Sequence, residues 1–317
     1  MLNRIAEALF WTGRYAERAE NHARLIDVHY HIRERSELED DHRVWMRIIG
    51  AVSDPDKFLE LYPVYSERDV LHYITLDINN TNSLLSCVSQ ARLNLRSVRE
   101  KVPCELWESL NGFYLWLKEK QVEHILIDSP FLFYRKIKEQ LAMFHGIAGS
   151  TMLRDELWSI MESGKYLERA ENSLRILKSV AAGMNDSSHA SYGYMQTVLK
   201  SVGGYEQYRR MSTEELKLET IVGFLILAES FPRSIHFAYS SLEENLQLIR
   251  REGRGEQLHD KALRLATKQR IELAYLERDA MSGEGLEALL AQLLDSTNGL
   301  GEAMASTFFQ YGEGASA

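Results

Sequence analysis

Apolar residues recur along this chain at intervals of three and four, the spacing of one face of an α-helix. The first 36 residues show it most clearly, and the opposite side of this stretch mixes Phe10 and Leu25 with charged residues. A helix with apolar residues on two sides is buried on both, so residues 2–36 are predicted to form a central helix. The residues of its first face are Ile5, Ala8, Leu9, Thr12, Tyr15, Ala16, Ala19, Ala23 and Ile26.

Helical periodicity continues through the rest of the chain, and no segment alternates apolar with polar residues as a half-buried strand does. Residues 54–56, 79–83 and 129–130 contain Asp, Asn, Ser or Pro, the residues that commonly begin helices. We therefore predict an all-α fold. Its remaining helices are predicted over about 38–52, 55–78 (one helix or a pair), 82–101, 103–121, 130–145, 155–182, 193–201, 213–229, 232–251, 255–280 and 284–310.

Two glycine-containing segments are predicted to interrupt the helices. Gly146 and Gly149 follow the helix predicted over 130–145 and indicate a break before the next helix. Residues 183–192 are small and polar, which is typical of a loop or linker.

One segment of the first helix recurs half a chain later. Residues 13–24, GRYAERAENHAR, return as residues 164–175, GKYLERAENSLR, with eight of the 12 positions identical. A shared offset predicts an internal duplication. We expect a helical bundle of two similar halves, residues 1–150 and 151–317, packed through these two motif helices into one fused unit. Five further identical pairs have the same offset of 151: Ser83 and Ser234, Ser89 and Ser240, Asn94 and Asn245, Leu95 and Leu246, Arg99 and Arg250.

Composition narrows the classes of function. The net charge of −9 argues against general binding to nucleic acid or to an anionic membrane, since both need a basic surface. The most apolar run, residues 221–228, is shorter than the roughly 20 residues of a membrane span. Glu7 interrupts the region where a secretion signal would be apolar. With only two cysteines, Cys87 and Cys104, we expect reduced thiols and a cytoplasmic protein.

The repeated segment carries the candidate functional cluster, and two interpretations of it stay open. If the motif helices cross, Glu17 pairs with Arg169 and Glu168 with Arg18, because buried charges need partners. The cluster is then a structural salt-bridge network. Alternatively, its arginines line a pocket that holds an anionic group. The residues of the cluster are Arg14, Glu17, Arg18, Asn21, Arg24, Glu168, Arg169, Asn172 and Arg175.

Other chemistry has weaker support, and we predict no metal site and no cofactor. Glu39 with His42, and Glu256 with His259, have a metal-ligand spacing but lie in charged, surface-type segments. The chain has no P-loop, glycine-rich phosphate loop or nucleophile elbow.

Several isolated residues are predicted to be structural. Cys87 and Cys104 have no nearby His to activate them, and are expected to be core thiols. Asp27, His29 and His31 do not share one helical face, and are expected to be solvated at the helix end.

The repeated segments resemble the signature of the bacterial alpha-E family, an all-helical family with a recurring Glu-Arg motif. Further matching stretches are 76–77 with Asn80 and Ser83, 91–96, 105–111, and 151–152 with Trp158. The resemblance covers essentially the whole chain. Leu93 departs from it, because a Glu is usual there, and this weakens any acidic site in that helix.

The resemblance implies which proteins act together with this one, and it implies little about a reaction. Genes of this family typically neighbour a circularly permuted ATP-grasp protein and often a transglutaminase-like protease homologue, which suggests a role in peptide ligation or tagging. No catalytic residue can be transferred. We therefore expect a non-catalytic scaffold of an ATP-grasp ligase. The alternative is an enzyme or peptide-binding protein that uses the cluster, with Glu17 or Glu168 as general base and the arginines as anion clamps.

Overall fold

The computed structural model describes residues 3–33, 41–185, 192–212, 215–249, 254–276, 281 and 285–309. This part of the chain contains fifteen α-helices, one turn of 3-10 helix and no strand, so the predicted all-α fold is confirmed. None of the described helices is long and apolar enough to cross a membrane. The helices are α1 (Asn3–Arg33), α2 (Asp41–Val52), α3 (Pro55–Leu61), α4 (Glu67–Thr75), α5 (Leu84–Ser97), the 3-10 turn (Arg99–Lys101), α6 (Cys104–Lys118), α7 (Val122–Asp128), α8 (Pro130–Thr151), α9 (Glu156–Asn185), α10 (Tyr192–Ser201), α11 (Tyr205–Met211), α12 (Leu218–Leu227), α13 (Ile235–Leu248), α14 (Arg254–Ala274) and α15 (Gly285–Phe308).

Several helix starts follow from local sequence. The Asp54 side chain accepts a hydrogen bond from the Asp56 amide, and Pro55 occupies the first turn of α3. Ser83 accepts from the Ser86 amide at the start of α5. These contacts satisfy amides that have no partner within their own helix.

The predicted break after residue 145 is wrong. Helix α8 continues through Gly146 and Gly149 to Thr151. Glycine costs a helix only about 1 kcal/mol relative to alanine. Burial of Phe144 and Ala148 on the same helix outweighs that cost.

Two short helices were not predicted. Helices α7 and α11 have seven residues each, too few to display a helical repeat. Tertiary packing holds them, because Val122, Ile125 and Tyr208 are buried. The loop predicted over 183–192 overlaps the end of α9, and residues 186–191 lie outside the described part.

The chain divides into two compact units with discontinuous limits. Unit 1 comprises residues 1–14, 153–188 and 217–317, and unit 2 comprises residues 15–152 and 189–216. Helix α1 contributes its first turns to unit 1 and the remainder to unit 2. The predicted halves, 1–150 and 151–317, have different limits and stay a prediction.

Four long helices form the frame of unit 1. Helix α9 packs against α13 and α15, and α14 packs against the same two helices, which closes a four-helix arrangement. In its core the Tyr239 hydroxyl lies 2.6 Å from the Thr297 hydroxyl. Burial raises the pKa of Tyr239 to about 12, and the charge of Glu171 raises it further.

In unit 2, α6 packs between α5 and α8, and α4 and α7 extend the packing. Its core contains a similar hydroxyl pair, Thr75 and Tyr134, whose oxygens lie 2.8 Å apart. Asp27 is buried beside this core and accepts a hydrogen bond from Lys138 Nζ at 2.6 Å. The prediction that Asp27 is solvated is therefore wrong, because Lys138, 111 residues away, compensates its buried charge.

Helix limits recur at the offset of 151. Helix α5 begins at Leu84 and ends at Ser97, and α13 begins at Ile235 and ends at Leu248. Ser83 and Ser234 cap these helices in the same way, each accepting from an amide three residues on. Each unit therefore builds one such capped helix from its own residues.

Candidate functional site

In unit 1, Arg14 of the first copy and three residues of the second copy of the repeated segment form a charge network. Arg14 Nε donates to Glu168 Oε2 at 2.7 Å, and Arg14 Nη2 donates to Glu171 Oε1 at 2.6 Å. Arg175 Nη2 donates to the other oxygen of Glu171 at 3.2 Å. We call Arg14, Glu168, Glu171 and Arg175 the unit-1 cluster. Its first three residues are each less than 10% exposed, so its charges interact strongly.

The Arg14 guanidinium packs against two aromatic rings and a glycine. The guanidinium lies 5.5 Å from the Trp11 ring centroid and 6.0 Å from that of Phe10, at cation–π distance. A Cβ atom on Gly301 would lie 3.9 Å from Arg14 Nη1. These contacts hold the guanidinium in one place, against both carboxylates.

The repeated glycines let two helix backbones touch within unit 1. A Cβ atom on Gly13 would lie 2.1 Å from the Met161 carbonyl oxygen, and one on Gly164 would lie 2.1 Å from that of Phe10. Only residues without a side chain permit this approach. The glycine of the motif therefore has a packing role, and it brings Arg14 close to α9.

In unit 2 the first copy places two buried carboxylates beside a histidine. Arg24 donates to Glu20 Oε1 from Nε at 2.9 Å and from Nη2 at 2.7 Å. His145 Nε2, on α8, lies 3.8 Å from Glu20 Oε2 and 4.0 Å from Glu17 Oε2. We call Glu17, Glu20, Arg24 and His145 the unit-2 cluster. Both carboxylates are buried, and Glu17 is 0% exposed.

Glycine also positions Arg24. Gly203 has a φ of +64°, a conformation that side chains rarely adopt, and its missing Cβ would lie 3.4 Å from Arg24 Nη1. The backbone after α10 can thus pass close to the guanidinium that holds Glu20.

The arginines of the two Glu-Arg pairs each contact the loop before the next capped helix of their own unit. Arg18 Nη1 donates to Asn82 Oδ1 at 3.3 Å, ahead of α5. Arg169 Nη1 donates to the Pro232 carbonyl at 3.1 Å, ahead of α13. The predicted pairs Glu17–Arg169 and Glu168–Arg18 join residues of different units and stay a prediction.

The remaining predicted cluster residues are the two asparagines. Asn21 is buried in unit 2, and Asn172 is partly exposed in unit 1. The sequence prediction omitted Glu20, Glu171 and His145. Glu20 and Glu171 could have been found, because each lies four residues before an arginine in the repeated segment. His145 had no such signal, since it lies far along the chain.

The cysteine prediction was half right. Cys87 is buried, whereas Cys104 is exposed at the start of α6, with its sulfur 3.2 Å from Glu108 Oε1. The hydrogen bond to Glu108 and its negative charge raise the pKa of Cys104. A thiol with a raised pKa is a poor nucleophile, so this exposure does not indicate catalysis.

Neither predicted Glu-x-x-His pair can be assessed as a whole. His42 is exposed on α2, and Glu39 lies outside the described residues. The side chains of Glu256 and His259 are also outside the described part.

Chemically, the unit-1 cluster is suited to holding helices together. Its two carboxylates and two guanidinium groups balance in charge, and both carboxylates accept charge-assisted hydrogen bonds. These contacts tie Arg14 of α1 to Glu168 and Glu171 of α9.

Comparison with known proteins agrees with the resemblance seen in the repeated segment. The chain is 25% identical over 316 residues to an uncharacterised protein of Mycobacterium bovis and to uncharacterised proteins of two Mycobacterium tuberculosis strains. Each alignment covers 92% of this chain and 35% of the relative, so the chain spans about a third of the length of these curated relatives. No solved structure matches the chain.

The family comparison covers almost every residue. The profile of the Alpha-E family, described as a predicted alpha-helical domain with a conserved ER motif, matches residues 1–309. Glu-Arg pairs stand at 17–18 and 168–169, inside the repeated segment. The chain therefore belongs to the Alpha-E family.

Proposed function

We propose that this protein is a non-catalytic helical partner of an ATP-grasp peptide ligase, and that it works in the cytoplasm in peptide synthesis or tagging. The observation that carries the proposal is the unit-1 cluster. Arg14 is buried against Glu168 and Glu171 and donates to both, so these charges serve packing. An active-site carboxylate needs a reacting group within reach and a pKa suited to proton transfer.

The length of the relatives supports a role beside another domain. In the mycobacterial relatives the matching region is 35% of the chain, so it is joined to further polypeptide. A helical module that works together with a second domain fits this arrangement. The partner we propose is a circularly permuted ATP-grasp protein, with a transglutaminase-like protein as a further member of the system.

We also propose that the two halves arose by internal duplication. Support comes from hydrogen bonds that recur at the offset of 151. Each of these hydrogen bonds joins two residues of the same unit. An experimental structure in which residues 3–151 and 154–302 superpose helix by helix is expected; different helix orders would contradict the duplication. The recurring contacts are Thr12 to Ala8 and Ser163 to Ser159, Arg24 to Glu20 and Arg175 to Glu171, His22 to Asn82 and Ser173 to Arg233.

Co-purification tests the proposed partnership. The chain is co-expressed with the ATP-grasp protein of the same organism, and the complex is measured by light scattering and by ligase turnover of ATP. We expect a defined complex whose turnover exceeds that of the ligase alone. Absence of a complex, with both proteins folded, would refute the partnership.

A matched pair of variants separates scaffold from enzyme. Glu168→Gln removes a buried carboxylate, whereas Glu139→Gln changes an exposed one on α8. We expect Glu168→Gln to lower the melting temperature but, well below it, to bind the ligase and support turnover as Glu139→Gln does. Lost turnover in a folded, ligase-bound Glu168→Gln protein would favour an active site instead.

A further inference from the structure

The unit-2 cluster has the donor set of a metal site. Among the described residues, Glu17, Glu20 and His145 offer potential ligand atoms that all lie within 4.8 Å of one another. Imidazole nitrogen and carboxylate oxygen are both ligands of Zn²⁺ and of neighbouring divalent transition metals. The donors come from two helices, α1 and α8, so the fold and not a local sequence motif assembles them.

The corresponding carboxylate pair of unit 1 binds a cationic side chain. Glu168 and Glu171 stand 151 residues after Glu17 and Glu20, and together they accept hydrogen bonds from the Arg14 guanidinium. This is independent evidence that the carboxylate pair of the motif has the geometry to bind positive charge between its members.

In both clusters an arginine contacts one oxygen of the glutamate that lies four residues before it. In unit 1, Arg175 contacts Glu171 Oε2 and leaves Oε1 to the Arg14 cation. In unit 2, Arg24 contacts Glu20 Oε1, and Glu20 Oε2 lies 3.8 Å from His145 Nε2. An arginine that fixes a ligating carboxylate in this way is the outer-shell support that metal sites use.

We propose that Glu17, Glu20 and His145 bind one divalent transition-metal ion of the Zn²⁺ class. Metal–ligand bonds of 2.0–2.2 Å in a tetrahedral site put ligand atoms about 3.4 Å apart. The His145 nitrogen, 3.8 and 4.0 Å from the carboxylate oxygens, needs to approach by about half an ångström, which small side-chain rotations supply. Three protein ligands leave a fourth position open to water.

Access and selectivity follow from the same residues. The His145 side chain is 17% exposed, whereas Glu17 is closed to solvent, so the ion enters from the His145 side. A nitrogen donor disfavours Mg²⁺ and Ca²⁺, which prefer sites made of oxygen alone.

Metal binding is tested on the full-length chain, without an affinity tag, by calorimetric titration with Zn²⁺ and by the absorption spectrum of the Co²⁺ form. We expect one ion per chain. His145→Gln is expected to weaken binding at least about tenfold. His124→Gln, which removes an exposed histidine of unit 2, is the matched control and should bind as the wild type does.

Two results would overturn the proposal: no stoichiometric binding of either ion to the folded wild type, or equal affinity in wild type and His145→Gln. If His145→Gln fails to fold, X-ray absorption of the Zn²⁺-loaded wild type decides. A Zn²⁺ coordination shell with one imidazole and otherwise oxygen ligands supports the site. A coordination shell with two or more imidazoles refutes it.

Discussion

The same carboxylate pair meets two different partners in the two units. In unit 1, Glu168 and Glu171 both accept hydrogen bonds from Arg14, a side chain from α1. In unit 2, Glu17 and Glu20 face His145 from α8, a group that carries a charge only when protonated. The motif therefore supplies an anionic pair in each unit, and the pair faces an arginine of the motif in unit 1 and a histidine of α8 in unit 2.

The two copies of the repeated segment also differ at one charged position. The residue equivalent to Arg14 is Lys165, which forms an ion pair with Glu162 within unit 1. A lysine has a point charge and no planar fork, whereas the arginine fork at the corresponding position donates to two carboxylates in unit 1. The two copies therefore contribute different cations at this position of the repeat.

The largest predicted effect comes from removing the cation of unit 1. Arg14→Met should destabilise the protein by about 3–5 kcal/mol, because it removes the buried guanidinium that donates to two buried carboxylates. Urea unfolding measures this. Arg24→Met is the comparison, since Arg24 is more exposed and contacts one carboxylate, and its loss should be clearly smaller. Equal losses would mean that the two clusters do not differ as described.

A smaller loss is expected from the backbone contact that brings Arg14 to α9. Gly164→Ala places a methyl group against the Phe10 carbonyl and should cost about 2–3 kcal/mol through displacement of the helices. Gly149→Ala adds the same methyl group to α8 in open space, and should be neutral or stabilise by up to about 1 kcal/mol. The melting temperature of Gly164→Ala should fall below that of the wild type, and that of Gly149→Ala should not. If both variants melt as the wild type does, the close approach of the two backbones is not required.

Equal effects are predicted for the two helix caps. Ser83→Ala and Ser234→Ala each remove a side-chain acceptor at a helix start, and each should cost about 1 kcal/mol. Chemical denaturation of each variant measures its free energy of unfolding. If only one of the two variants lost stability, the two capped helices would differ in energy despite their matching limits.

The smallest effect concerns pH. Burial lowers the pKa of His236 in unit 1, and the nearby Arg270 lowers it further against the opposing charge of Glu229. As pH falls below about 6.5, the unfolded chain binds a proton that the folded protein resists, so stability declines. Leu85 is the equivalent residue in the other copy, and His236→Leu should flatten this decline in unfolding measured from pH 5 to pH 8. An unchanged slope would assign the acid sensitivity to other groups.

Local signals predicted the fold well. The Ser83 cap, the Pro55 start and the apolar periodicity are properties of neighbouring residues, and the structure has helices at those places. Gly146 was misread because propensity is a small energy that burial of Phe144 and Ala148 overrides.

The site was predicted only in part, because its partners are tertiary. Glu17 and Glu168 could be identified from the repeat, but His145 and the role of Arg14 could not. The Arg14–Glu168 contact joins residues 154 apart, and no periodicity within a helix specifies such a pair. Asp27 shows the same limit, since its partner Lys138 lies on another helix.

The central claim, that the unit-1 carboxylates hold a buried structural cation, is tested most directly by a double-mutant cycle. Arg14→Met, Glu168→Gln and the combined variant are compared with the wild type by urea unfolding at pH 7. The contact predicts a coupling free energy of about 2 kcal/mol or more, since it joins two buried, oppositely charged groups at 2.7 Å. A coupling near zero, with additive losses, would contradict the claim.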